Sequence, residues 1–129
     1  GLGLKTASWS QSRKMTVLSK KNQKFNDRCC DIDHTIKTDE WELIIGIDKS
    51  TEEKLMTRLS SFDSGTSVLW EKLDRLIGDM SEQDEDSMKK IFQEKMTKDV
   101  LNHLQMVFHR YLSGRDSKRI FLGNFPCEP

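Results

Sequence analysis

The sequence predicts an all-α protein: a helical bundle of four to five helices with a long C-terminal helix, a flexible basic N-terminal arm and an extended C-terminal tail. Three observations predict it. Charged residues occupy 33% of the 129 positions against only seven Gly and two Pro, a balance that suits helices with solvated outer faces better than a sheet with many turns. Residues 81–114, SEQDEDSMKKIFQEKMTKDVLNHLQMVFHRYLSG, carry helix start and stop signals together. Elsewhere apolar residues recur at spacings of three and four.

Residues 1–14 read as a mobile basic arm, rich in Gly and Ser, with Trp9 as a single anchor. From Met15 the residues Met15, Leu18, Asn22, Phe25, Cys29, Ile32 and Ile36 follow an a/d heptad seam over three repeats, and Asn22 stands at an a position, where one Asn fixes register in a coiled coil. The alternative for this stretch is a helix docking its stripe on its own domain. Thr38 before Asp39 and Glu40 reads as the cap of a short buried helix through Trp41, Leu43, Ile44 and Ile45, stopped at Gly46. By β-propensity the run LIIGI also suits a strand, but no second alternating run offers it a partner.

Ser50 and Glu53 form a capping box ahead of Leu55, Met56, Leu59 and Phe62. Val68, Leu69, Trp70, Leu73, Leu76 and Ile77 read as an amphipathic helix closed by Gly78, and a short link makes it an antiparallel neighbour of the 82–113 helix. In that long helix Ser81 caps the start, Glu85–Lys89 and Glu94–Lys98 pair acid before base at i,i+4, and Gly114 ends it. Its apolar face shifts between Met88–Phe92 and the broader stripe of Val100, Leu101, Leu104, Val107, Phe108, Tyr111 and Leu112, so the helix either meets two neighbours or breaks near Thr97. The tail, 115–129, has no helical period and reads as an extended segment with a basic cluster and the apolar group Ile120, Phe121, Leu122 and Phe125. The helical domain proper is therefore 15–114.

Net charge is zero, yet residues 1–30 hold seven Lys or Arg and one acid. Such an arm suits nucleic acid or an acidic surface, but no reader motif accompanies it, and a solvated or self-docking arm is the preferred reading. No apolar run is long enough to span a membrane. Cys29 and Cys30 are adjacent and Cys127 is distant, which leaves a thiol unpaired and points to an intracellular setting in the cytoplasm or nucleus, with a secreted one as the alternative. Gly1 in place of an initiator Met reads as a processed start or a piece of something larger.

Motifs for chemistry are sparse. His34, His103 and His109 lack ligand spacing with any Cys, so no metal site is expected. Asp99 and His103 share a helix face without a nucleophile. The Gly-Leu-Gly at the start lacks a preceding strand and is discounted as a phosphate loop. No catalytic residue, cofactor or small-molecule substrate is assigned. The sequence leads to the expectation of a non-enzymatic helical protein–protein interaction or oligomerisation module, a coiled-coil adaptor that binds a protein partner or itself through Leu18, Asn22, Phe25, Ile32, Val107, Phe108, Tyr111, Ile120, Phe121 and Leu122. A secreted four-helix-bundle signalling protein of cytokine type is the alternative.

Overall fold

The segment with the heptad seam is a β-hairpin followed by a short helix. The computed structural model describes residues 2–74 and 84–129, which fall into two compact units, residues 1–78 and 79–129. In the first unit the elements are α1 (Leu2–Trp9), β1 (Lys14–Lys21), β2 (Lys24–Asp31), α2 (Ile32–Thr38), α3 (Lys49–Leu59) and β3 (Ser64–Glu71). The three strands form an antiparallel sheet in the order β2-β1-β3. The all-α bundle is therefore overturned in favour of a mixed α/β fold.

Turn chemistry decides the hairpin. Asn22 and Gln23 both take left-handed conformations, with φ of 50° and 64°, as a two-residue turn that matches strand twist requires. Asn, read in sequence as an a-position device, tolerates that conformation because its short polar side chain bonds locally. Lys14–Asp31 and Lys21–Lys24 close the two ends of the ladder.

The sheet is covered on both faces, for different lengths. Thr16 and Leu18 of β1 and Leu69 of β3 lie on the face that meets α3, where Leu18, Leu55 and Leu59 form the buried core, with Ile47, Met56 and Leu69 packed against it. Gly65 sits beneath this cluster, where an added Cβ would stand 2.9 Å from Leu59 Cδ2. Met15 and its cross-strand partners Cys30 and Trp70 lie on the opposite face, where the Trp70 indole N–H donates to Ser8 Oγ of α1 at 2.9 Å.

Helix α3 starts two residues earlier than the sequence suggests, because Asp48 rather than Ser50 is the cap: its carboxylate accepts the Thr51 N–H at 3.0 Å. Trp41–Ile45 is no helix. Ile44 makes an isolated antiparallel bridge to Cys29, and Trp41 is 75% exposed. The helix expected over 67–77 is replaced at 64–71 by β3, and its remainder from 75 lies outside the described residues.

Charges bind the end of the sheet where β1 begins. Arg13 reaches Asp33 and Asp74, Lys72 reaches Asp31 and Asp33, and Lys14 pairs with Glu71 across the strands at 2.9 Å. The hydrogen bond from Lys72, with the charge of Arg13 behind it, holds the Asp33 carboxyl below its ordinary range. A carboxyl so lowered stabilises the fold above its unfolded value of about 3.9, and that stabilisation is lost as pH falls through the lower folded value. Asp33→Asn is therefore expected to be less stable than the wild type at about pH 6 and nearly equal to it at about pH 2. Urea melts at the two pH values check this, and a gap that persists in acid would refute the ionic role.

In the second unit Asp84 caps α4 (Glu85–Lys95) by accepting the Ser87 N–H at 2.8 Å, and Glu85 pairs with Lys89 at 2.9 Å. The expected cap, Ser81, lies outside the described residues. A π-helical turn, Met96–Val100, follows and contains Thr97, after which α5 runs Leu101–Leu112. Gly114, with φ of 96°, ends the helix. The expected extended tail instead contains a small hairpin, β4 (Phe121–Leu122) with β5 (Phe125–Pro126), turned at Gly123.

Candidate functional site

Helix α1 differs from α3 and α4 at its start. Asp48 and Asp84 supply carboxylates to the first amides of α3 and α4, whereas the first turn of α1 holds no acid. Its sequence opens Gly1-Leu2-Gly3-Leu4-Lys5-Thr6, with Gly1 outside the described residues. A Cβ built on Gly3 would have no atom within 4 Å, so a ligand can approach the backbone there. The free amides and dipole at a helix start favour an anion, and Lys5 adds a full positive charge one turn in.

Lys5 also lines a cavity of about 50 Å3 with Trp9, Cys30, Asp31, Thr35 and Trp41. That volume admits a few waters and falls far below the roughly 300–1,000 Å3 of small-molecule sites. Burial pushes the Cys30 thiol up, with Lys5 pulling weakly the other way, so the sulfur stays protonated and is no nucleophile. Trp9 packs against Trp41 at 5.1 Å between ring centroids, the rings tilted by 43°, and His34 Nε2 meets Glu42 at 2.8 Å on the segment that forms one wall. Two larger recesses, of about 470 Å3 beside Met106 and His109 and about 460 Å3 beside Phe62 and Val68, are lined mostly by exposed side chains.

A model of the family described as Histidine kinase-, DNA gyrase B-, and HSP90-like ATPase matches residues 1–66, just over half the chain. The chain belongs to this ATPase family. The match begins at the Gly-Leu-Gly-Leu-Lys segment and runs through α1, the hairpin, α2 and α3 into β3. Searches of curated proteins and of solved structures returned no match.

Membership in the ATPase family, with the sheet, overturns the expected non-enzymatic helical module, its coiled-coil and adaptor readings and the cytokine-like alternative. The residues nominated from sequence do not converge on α1. Leu18 is core, 3% exposed, Asn22 is the hairpin turn, and Phe25 lies under the Lys20 ammonium at 5.6 Å. Ile32 opens α2 at the edge of the cavity. Val107, Phe108 and Tyr111 are exposed on α5, where the two rings meet edge to face at 6.2 Å. Ile120, Phe121 and Leu122 belong to the hairpin of the second unit. Gly3 and Lys5, in the Gly-x-Gly-x-Lys pattern that the sequence discounts as a phosphate loop for want of a preceding strand, lie in the first turn of α1.

Proposed function

We propose that the first unit of this ATPase-family chain binds the phosphates of a nucleoside triphosphate, ATP by its family, at the start of α1. The observation that carries the reading is the family match opening on Gly1–Lys5, at a helix start that has no acid of its own. Backbone amides of the first turn would meet phosphate oxygens, Gly3 would allow close approach, and the Lys5 ammonium would add a charge-assisted contact. Among the described residues Asp31 and Glu42 are the carboxylates at the adjoining cavity, and they are engaged by Lys72 and His34. The role assigned here is therefore phosphate binding and not activation of water.

Titration with a fluorescent ATP analogue tests it. The wild type should bind, ATP should compete, and Lys5→Ala should weaken binding by roughly tenfold or more. Because Lys5 forms no ion pair among the described residues, the variant should keep its circular dichroism. Equal affinity in the two proteins, or no binding by the wild type, would overturn the reading.

A further inference from the structure

The segment between α2 and α3 carries an unfinished strand edge, distinct from the nucleotide reading. Its contact with β2 consists of two bonds of 2.9 Å, from Cys29 N–H to Ile44 O and from Ile44 N–H to Cys29 O. Two residues on, the Gly46 N–H reaches the Asp27 carboxylate at 2.6 Å, which continues the same antiparallel register. Ile44 and Gly46 thus turn their backbone groups toward β2, and by the alternation of an extended chain Leu43 and Ile45 turn theirs away. Among the described residues neither Leu43 nor Ile45 has a backbone hydrogen-bond partner.

Side chains follow the same alternation. Trp41, Leu43 and Ile45 are 75%, 50% and 69% exposed and share one face, while Glu40 and Glu42 fall on the other. Asp39 and Asp48 add further negative charge at the two ends of the segment. The edge has no Lys, Pro or bulge within 41–45, the devices by which proteins block strand addition. Left-handed residues, Asp39 with φ of 57° and Gly46 with φ of 90°, frame it.

We propose that Trp41–Ile45 is a docking edge for an extended basic segment of a partner protein, which adds a strand through the outward backbone groups of Leu43 and Ile45. Two features fix the occupant's chemistry. Its residues beside Trp41, Leu43 and Ile45 are apolar, and the alternate one beside Glu40 is Lys or Arg, Glu42 being already paired with His34.

A capped heptapeptide alternating lysine and valine is the probe, titrated into the 15N-labelled chain. The amide signals of Leu43 and Ile45 should shift and their hydrogen exchange should slow by roughly tenfold or more. Glu40→Lys, an exposed change whose side chain holds no partner among the described residues, should weaken the peptide by roughly three- to tenfold. A glutamate–valine peptide should leave both amides unmoved. Unchanged Leu43 and Ile45 signals, or equal binding of the acidic peptide, overturns the proposal. So does slowing of exchange with protein concentration alone, which would make a second copy the occupant. Both readouts are taken without nucleotide, so failure of the phosphate reading leaves them intact.

Discussion

Leu55→Ala is expected to lower the unfolding free energy of the first unit by about 2–5 kcal/mol. Leu55 is 2% exposed and, among the described residues, forms the buried cluster with Leu18 and Leu59. Removing its isopropyl group deletes packing between the helix and the sheet, and so small a core has little material to collapse into the gap. The loss is large beside the 5–15 kcal/mol that holds a typical domain together. Ile36→Ala, at a side chain 74% exposed, serves as the control and should change stability by less than about 0.5 kcal/mol. Urea unfolding followed by tryptophan fluorescence separates the two. A cost below about 1 kcal/mol at Leu55 would mean that α3 is not the cover of this sheet.

Local signals were legible in the sequence where the chain itself supplies the partner. The acid-rich start of α4, the Glu85–Lys89 pair, the irregularity at Thr97 and the stop at Gly114 all depend on groups a few residues apart. The sheet was not legible, and β1 shows why. Met15, Thr16, Leu18 and Lys20 are all buried, because α1 covers one face near Met15 while α3 covers the other from Thr16 onward. A strand covered on both faces loses the apolar–polar alternation that betrays it. The three-and-four spacing from Met15 to Ile36 is drawn from both faces of two strands, the turn at Asn22 and helix α2. In β3 the apolar run Val68–Trp70 follows Ser-Gly-Thr-Ser, residues that suit a strand edge packed close to Leu59, yet the run alone resembles a helix turn. The Gly-x-Gly-x-Lys pattern is hard to weigh for a different reason: a phosphate loop is expected behind a strand, whereas Gly3 and Lys5 stand in the first turn of α1.

Lys20→Glu is expected to destabilise the first unit by about 3 kcal/mol or more at neutral pH. Lys20 is a buried cation, 6% exposed, whose ammonium donates to Leu59 O at 3.3 Å and Ser60 O at 3.5 Å and stands over the Phe25 ring at 5.6 Å. It thereby satisfies carbonyls at the negative end of α3, and this capping explains why a lysine occupies a core-facing position of β1. A glutamate there sets a carboxylate against two carbonyl oxygens with no donor. Lys20→Met keeps the aliphatic stem and removes only the cap, so it should cost about 1–2 kcal/mol. The pair of variants also has a pH signature. Burial raises the carboxyl of the introduced Glu above its unfolded value, so the penalty of its charged form applies in full above that raised value and fades as pH falls through it. The stability gap between Lys20→Glu and Lys20→Met should therefore shrink on acidification from neutral pH, as chemical melts can follow. A gap that is absent at neutral pH would show that the side chain swings into solvent, and the helix end would then owe its place in the fold to Leu55 and Leu59 alone.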